Sequence, residues 1–333
     1  MRVGRVWGGL RFCSHIAIVA ATAVRRKPDG ANFAKWGVWM AGSGTQGTTD
    51  YEDRFWTSPD GLKLHYRDYA GPDTRPPLLC LPGLTRNARD FEGLANRFAG
   101  EWRMICVDLR GRGDSEYAKD WESYNPLTYL ADIEALLAQV GMRRFVAIGT
   151  SLGGLLTMLL AATNAQRIAG AVLNDIGPVI EPEGLERIRS YVGQMRSFPT
   201  WMHAARALEE SLGDIYPDYT IPEWLRMAKR LMDYTGNERI AFDYDMKIAE
   251  PFRQPGGETA SPNMWPAFEA LAGRPVLALR GALSDILSDA TLKVMCARLP
   301  DAEGVTITRT GHAPTFDEPA ALDAVARLLA KVS

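Results

Sequence analysis

The sequence of 333 residues is 46% hydrophobic and 23% charged, and its formal net charge is −2. Its mean hydropathy is −0.16. These values are ordinary for a soluble globular protein and argue against a chain that crosses a membrane several times. The length allows one or two domains.

The first 39 residues differ in charge from the remainder of the chain. They contain seven basic residues and one acid, a formal charge of +6, which leaves −8 on the remainder. An acidic remainder repels an anionic polymer, so we expect no nucleic-acid partner.

The basic leader, residues 1–49, has three interpretations. Its apolar run at 16–24 is too short for a stable membrane span, although the flanking residues resemble a secretory signal. The lack of acids before Asp29 would also fit a transit peptide. We favour an upstream extension of the coding frame with Met40 as the natural start, because residues 1–49 show no sustained helix or strand period. The leader is therefore expected to lie outside the fold.

The four cysteines do not resemble a disulfide framework. Cys80 and Cys106 lie in apolar strand-like runs, Cys296 in a helix-like run and Cys13 in the leader. Buried free thiols in a reducing compartment account better for this pattern. We therefore expect a cytoplasmic protein, with a homodimer as a possible state.

Predicted strands and helices alternate from residue 51 onward. "RFWTSPDGLKLHYRDYAG" predicts a β-hairpin and "PPLLCLPG" a buried strand, while "DFEGLANRFA" predicts a helix. "RMICVDLRGRGDS" predicts a strand that ends in a glycine-rich loop, followed by the helix "PLTYLADIEALLAQVG" and the strands "RFVAIG" and "AGAVLND". Apolar strands with helices between them predict an α/β fold, in which helices cover both faces of a mostly parallel sheet.

The alternation stops at residues 176–272, which contain helix-like runs, many large aromatic residues and no convincing strand. It resumes with "RPVLALRG", a helix, the strand "GVTITRTG" and a final helix. The simplest interpretation is a helical cap at 176–272 inserted into a core made of 50–175 and 273–333.

A serine lies between two glycines in "GTSLGG", where a predicted strand turns into a helix. Such a corner is strained, and Gly149 and Gly153 would remove the collisions that side chains cause there. The hydroxyl of Ser151 would then be exposed near the positive end of the helix. A simple N-cap serine does not require Gly149, and a phosphate loop would need a lysine, which the segment lacks. Ser151 is therefore predicted to be a nucleophile.

A serine nucleophile needs a base, and His312 lies in a loop directly after the last predicted strand. His65 and His203 fall in a hairpin strand and a cap helix, where packed or solvated histidines are common. For the acid that orients the base we favour Asp285, which follows the next-to-last strand. Asp175, which follows an earlier strand, is the open alternative.

The order Ser, Asp, His resembles that of the α/β-hydrolase superfamily, as do "GTSLGG", "GALSD", "TGHAP" and "CLPGLTRNARDF". The resemblance covers about 51–333 and implies an eight-stranded sheet with a cap. It also implies that the backbone amides of Leu84 and Leu152 form the oxyanion hole. The chain departs from the family in this loop, where it has Pro82-Gly83 and the family often has His-Gly.

These residues predict a serine hydrolase that cleaves carboxylic esters of small, largely apolar molecules through an acyl-enzyme, without a metal or organic cofactor. Family members that hydrolyse carbon–carbon bonds or lactones resemble this triad and cap closely, and a non-catalytic small-molecule receptor is a further alternative. Serine at position 151 argues against epoxide hydrolases and haloalkane dehalogenases, whose nucleophile is a carboxylate.

Four residues are candidate substrate contacts. Arg86 and Asn87 lie beside the predicted oxyanion amide, and Trp201 and Trp224 lie in the predicted cap. The alternatives are that Arg86 and Asn87 are solvated loop residues, and that the two tryptophans serve only in packing.

Overall fold

A β-hairpin begins the large sheet. The computed structural model describes residues 49–253 and 263–332, so the predictions for residues 1–48 lie outside the described residues. Strand β1 (Glu52–Thr57) pairs antiparallel with β2 (Lys63–Tyr69). Gly61 in the turn has φ of 89°, a conformation that favours glycine. The predicted hairpin is therefore present.

The elements after the hairpin alternate as the sequence predicts. They are β3 (Leu78–Leu81), α1 (Glu92–Phe98), β4 (Met104–Val107), α2 (Pro126–Gln139), β5 (Phe145–Thr150), α3 (Leu152–Asn164) and β6 (Ile168–Asn174). The side chain of Asn125 caps α2 by accepting a hydrogen bond from the N–H of Thr128, and Pro126 occupies the first turn, where its missing N–H costs nothing.

Residues 176–272, which we call the inserted segment, separate β6 from the next strand of the large sheet. Its described elements are α4 (Pro182–Tyr191), β7 (Ser197–Phe198), α5 (Trp201–Leu212), α6 (Ile221–Leu231), β8 (Met232–Tyr234), β9 (Ile240–Phe242), α7 (Glu250–Arg253) and α8 (Trp265–Glu269). Strands β7, β9 and β8 form a small antiparallel sheet. The prediction that this segment contains no strand is therefore wrong, because strands of two or three residues are too short to show a period of two.

The chain returns to the large sheet with β10 (Val276–Gly281), α9 (Asp289–Arg298), β11 (Ala302–Ile307) and α10 (Pro319–Leu329). The sheet has eight strands in the order β1-β2-β4-β3-β5-β6-β10-β11, and the strands from β4 to β11 run parallel. The predicted α/β class is confirmed. The carboxyl ends of β5, β6, β10 and β11 therefore meet at one edge of the sheet.

The core fills both faces of the sheet. Along β3, Leu79 and Leu81 pack with the side chains of α2 and α3, whereas Leu78 and Cys80 pack with those of α1 and α10. All four are fully buried, as expected of a parallel strand covered on both faces. Cys80, Cys106 and Cys296 are free thiols, and Cys13 lies outside the described residues.

No helix within 49–253 or 263–332 combines the length and the apolar character that a membrane crossing needs.

His65 joins three segments of the core. Its Nδ1 lies 2.7 Å from Oδ2 of Asp108, and its Nε2 lies 2.9 Å from Oδ1 of Asp53. The other oxygen of Asp108 accepts a hydrogen bond of 2.6 Å from the N–H of Ala88. Burial lowers the pKa of His65, but the hydrogen bonds to Asp108 and Asp53 and the charges of Asp108 and Asp114 outweigh burial and raise it above its ordinary value.

We expect His65→Gln to destabilise the protein more in mildly acidic than in alkaline solution. A histidine whose pKa is raised by folding contributes most below its unfolded pKa, and the contribution is lost as pH rises through the folded pKa. The expected loss at pH 5.5 is about 3 kcal/mol. Urea unfolding of the wild type and the variant between pH 5.5 and 9 measures it.

His203→Gln is the matched control, because His203 is an exposed histidine on α5 whose Nδ1 lies 2.8 Å from Oγ1 of Thr200. It should change the free energy of unfolding little at any pH. A constant difference between wild type and His65→Gln across the pH range would contradict the assignment of a charged His65.

Candidate active site

Ser151 occupies a strained corner between β5 and α3. Its backbone has φ of 51° and ψ of −114°, in the region that non-glycine residues rarely adopt. A Cβ on Gly149 would lie 2.3 Å from the carbonyl oxygen of Gly153, and a Cβ on Gly153 would lie 1.9 Å from that of Leu81. Both glycines are therefore required because backbone packs against backbone at this corner.

The structure brings the predicted nucleophile and base together. Nε2 of His312 lies 2.9 Å from Oγ of Ser151, within hydrogen-bond distance. Ser151 is half-buried, and the side chain of His312 is 9% exposed. The two residues are 161 positions apart in the chain and meet because β5 and β11 end at the same edge of the sheet.

The acid beside His312 is Asp175, so the prediction that Asp285 fills this place is wrong. Oδ2 of Asp175 lies 2.7 Å from Nδ1 of His312. Asp285 instead forms a bidentate ion pair with Arg187 of α4, with 2.8 Å between Arg187 Nη2 and Asp285 Oδ1. Burial raises the pKa of Asp285, but the hydrogen bonds and charge of Arg187 outweigh burial and lower it.

The order of the strands explains this placement. Asp175 directly follows β6, which lies between β5 and β10, whereas Asp285 lies four residues beyond the end of β10. Oδ1 of Asp175 accepts a hydrogen bond of 2.8 Å from the N–H of Gly281, and Oδ2 accepts one of 2.6 Å from Oγ of Ser284. Ser284 was not predicted, although it is the residue before Asp285 in the "GALSD" stretch.

The loop after β3 lies against Ser151. A Cβ on Gly83 would lie 3.7 Å from Cβ of Ser151. Within the described part of the chain, the N–H groups of Leu84 and Leu152 donate to no hydrogen-bond acceptor. Two backbone donors thus remain unused, one on the residue after Ser151 and one on the residue after Gly83, as an oxyanion hole would require.

Arg112 fixes the loop that carries Leu84. Its Nε donates a hydrogen bond of 2.8 Å to the carbonyl oxygen of Leu84, and its Nη1 donates one of 2.7 Å to the carbonyl oxygen of Arg110. Arg112 is fully buried and its guanidinium lies over the ring of Tyr129. The sequence analysis described the stretch "DLRGRGDS", which contains Arg112, only as a glycine-rich loop, and it did not identify Arg112.

The inserted segment holds the loop that carries His312. The N–H of Gly311 donates a hydrogen bond of 2.8 Å to the carbonyl oxygen of Ile215, and the hydroxyl of Tyr216 donates one of 2.9 Å to the carbonyl oxygen of Ala313. From the core, Nδ2 of Asn174 donates a hydrogen bond of 2.8 Å to the carbonyl oxygen of Pro314. The position of the imidazole therefore depends on both parts of the chain.

A pocket of about 350 Å³ opens above Ser151 and His312. This volume suits a small organic ligand. The inserted segment supplies most of its lining, including the apolar side chains of Ile188, Phe198, Leu208, Leu212, Ile215 and Phe242.

Only one of the four predicted substrate contacts lines this pocket, namely Arg86. Asn87 is fully buried. Its amide nitrogen donates a hydrogen bond of 2.9 Å to the carbonyl oxygen of Arg230, and its Oδ1 accepts one from the N–H of Arg89. Trp224 is 1% exposed within the packing of the inserted segment, and Trp201 donates through its indole N–H to Tyr234. These three predictions are wrong, because the side chains are used in packing and hydrogen bonding.

One group among the described residues has the composition of a metal site, namely His65, Asp108 and Asp114, whose ligand atoms lie within 4.8 Å of one another. Both nitrogens of His65 already contact carboxylates. The two oxygens of Asp108 accept backbone N–H groups from Ala88 and Asp114. The fold itself accounts for this group.

Comparisons with known proteins agree with this fold. A family model described as the alpha/beta hydrolase fold matches residues 76–319. A 3-hydroxybutyrate-oligomer hydrolase of Cupriavidus necator is 34% identical over 270 residues, which cover 79% of this chain and 92% of the relative.

Two solved structures are similar in fold. An alpha/beta hydrolase from Novosphingobium aromaticivorans is 65% identical with a TM-score of 0.83, and the match covers 86% of this chain and 100% of that chain. A putative hydrolase from Rickettsia typhi is 23% identical with a TM-score of 0.74, covering 85% and 99% of the two chains.

We expect Gly153→Ala to disrupt the corner at Ser151. The new Cβ would collide with the carbonyl oxygen of Leu81, so β3 or α3 would have to move. The expected loss of stability is about 3 kcal/mol or more, measured as a lower midpoint of thermal or urea unfolding.

Gly236→Ala serves as the control, because a Cβ there meets no atom within 4 Å. Equal stability of the two alanine variants would show that the corner is not as tightly packed as described.

Proposed function

The chain belongs to the α/β-hydrolase fold family, and we propose that it is a serine hydrolase that cleaves carboxylic esters through an acyl-enzyme. The observation that carries the proposal is the continuous hydrogen-bonded series from Ser151 through His312 to Asp175 at the floor of the pocket. Nucleophile, base and orienting acid in this arrangement are the elements of serine acyl transfer.

In the first half-reaction, Oγ of Ser151 attacks the ester carbonyl while Nε2 of His312 removes its proton. Asp175 accepts the Nδ1–H of His312, which holds the reactive tautomer and stabilises the imidazolium that forms. Ser284 donates to Asp175 and holds its carboxylate in place. General-base catalysis of this kind contributes about two to four decades of rate.

The free N–H groups of Leu84 and Leu152 would stabilise the negative oxygen of the tetrahedral intermediate. Each is expected to lower the barrier by about 3 kcal/mol. Arg112, which holds the carbonyl oxygen of Leu84, is a positioning residue for the first of these donors.

The second half-reaction releases the acid. His312 gives its proton to the leaving alcohol, and the imidazole then removes a proton from water as the water attacks the acyl-serine. Collapse of the second tetrahedral intermediate regenerates the hydroxyl of Ser151 and frees the carboxylic acid. His312 thus gives up each proton that it removes, and the same residues would serve both half-reactions.

The pocket supports a small, largely apolar substrate. We assign the inserted segment the role of a cap on the core made of 50–175 and 273–333, because it supplies most of the apolar lining above Ser151. The Cupriavidus necator relative is named as a hydrolase of 3-hydroxybutyrate oligomers. We therefore propose short hydroxyalkanoate esters as candidate substrates of this chain. Cytoplasmic location and a homodimer stay predictions from the sequence.

Substitution of the two aspartates separates the catalytic acid from its rival. With p-nitrophenyl butyrate and the 3-hydroxybutyrate dimer as substrates, Ser151→Ala should abolish turnover. Asp175→Asn should lower kcat by about 10³–10⁴-fold, because the amide favours the wrong tautomer of His312. Asp285→Asn removes only the partner of Arg187 and should lower kcat less than tenfold.

Steady-state kinetics of the purified variants, with thermal unfolding as a check on folding, measures these effects. The reverse order of the two aspartate variants would overturn the assignment of Asp175. Failure of the wild type to hydrolyse any ester, with Ser151-dependent turnover of lactones or β-diketones instead, would replace the ester hydrolase by a lactonase or a carbon–carbon bond hydrolase.

A further inference from the structure

Arg86 lies beside the nucleophile. A Cβ on Gly83 would lie 3.2 Å from Cγ of Arg86 and 3.7 Å from Cβ of Ser151, so both side chains pack against the same glycine. Arg86 lines the pocket, and its side chain is 22% exposed. The side chain of Arg86 therefore starts beside Ser151 and lines the same pocket.

The guanidinium of Arg86 is only partly used by the protein. Its Nε donates 2.5 Å to Oδ2 of Asp90, and within the described residues its two terminal nitrogens donate to no acceptor. An arginine has five N–H donors in a planar fork that matches a carboxylate. A ligand with a carboxylate would therefore satisfy donors that the fold leaves unpaired.

The charge of the pocket lining is positive. It includes Arg86, Arg187 and Arg196, while Asp90 is the one acid that the described residues contribute to the lining. Arg187 is neutralised by a bidentate pair with Asp285. Arg196 is exposed and, among the described residues, contacts the hydroxyl of Ser211 but no carboxylate. Cations among apolar side chains attract an anion more strongly than they do in water.

Arg86 remains charged in this setting. Burial lowers its pKa, but the charge and hydrogen bond of Asp90 outweigh burial, so the pKa is raised above its ordinary value. The charge that the pocket offers is therefore present at every pH at which the enzyme would work.

We propose that the terminal nitrogens of Arg86 bind a free carboxylate of the substrate, so that the site selects esters with an acid group a few bonds from the scissile carbonyl. The inference rests on the proposed ester hydrolase function and narrows its substrate class to short hydroxy-acid esters with a free acid end. An oligomer of such acids is then cleaved at the bond next to its free carboxyl end.

The competing explanation is that Arg86 and Asp90 form an ion pair that only supports the fold. Removal of Arg86 alone would leave Asp90 buried without its partner, which can destabilise the protein for that reason. The double variant Arg86→Gln with Asp90→Asn removes both charges together. Asp90→Asn alone retains the cation, and it is the matched reference for the double variant.

The kinetic experiment compares the 3-hydroxybutyrate dimer as free acid with its methyl ester, with the products separated by chromatography. For the wild type and for Asp90→Asn, kcat/KM for the internal ester bond should be about 10- to 100-fold higher with the free acid, chiefly through KM. In the double variant this ratio should fall about tenfold or more. Arg196→Gln tests the other cation of the pocket, and it should lower the ratio less than the double variant does, because Arg196 is exposed to solvent.

A binding experiment does not depend on turnover. In the Ser151→Ala background, 3-hydroxybutyrate should bind at least tenfold more tightly than its methyl ester by calorimetry, and the double variant should lose this preference. Arg86→Lys should retain part of the preference for the free acid, since a lysine supplies the charge without the planar fork of donors.

The two hypotheses fail in different ways. Absence of Ser151-dependent hydrolysis with retained, Arg86-dependent carboxylate binding would remove the ester hydrolase and leave the carboxylate site. Ser151-dependent hydrolysis with equal rates for acid and methyl ester, or loss of the preference in Arg196→Gln in place of the double variant, would overturn the role of Arg86.

Discussion

The site depends on one buried carboxylate. Asp175 is fully buried, and its two oxygens accept hydrogen bonds from Gly281, Ser284 and His312. A carboxylate removed from water is costly unless such donors replace its hydration. Because the donors come from the end of β10, the loop after it and the loop after β11, satisfying this one group fixes three segments relative to β6 and aims the imidazole at Ser151.

The same loop is held from above by the inserted segment. Gly311 donates a hydrogen bond to Ile215, and Ala313 accepts one from Tyr216. The two residues that flank His312 are therefore both held by the segment that lines the pocket. Substrate selection and proton transfer are therefore not separate parts of this molecule. A change in the inserted segment that shifts residues 215–216 moves the imidazole, and it alters the rate of chemistry as well as binding.

The sequence predicted elements whose signals are local, and it failed where the answer depends on the arrangement of strands. The strand–turn–helix at Ser151 and the loop of His312 each carry their own pattern of glycines and apolar residues. Asp175 and Asp285 both follow apolar strands that end at the same edge, so the residues alone could not separate them. The decision comes from β6 lying between β5 and β10, a long-range pairing that no short stretch encodes. The prediction for Trp224 was wrong for a different reason, because a large aromatic residue packs equally well in a core or in a pocket wall.

Ion pairs join the inserted segment to the core at several points around the pocket. Arg187 pairs with Asp285, Asp243 with Arg89, and Arg230 with Asp317, and in each pair one partner belongs to the inserted segment. In each pair at least one side chain is mostly buried, so breaking the pair would leave a charge with little access to water. These contacts therefore fix the pocket wall at a set distance from the nucleophile. Arg86 pairs within the core through one nitrogen, and its two terminal nitrogens donate to no acceptor among the described residues.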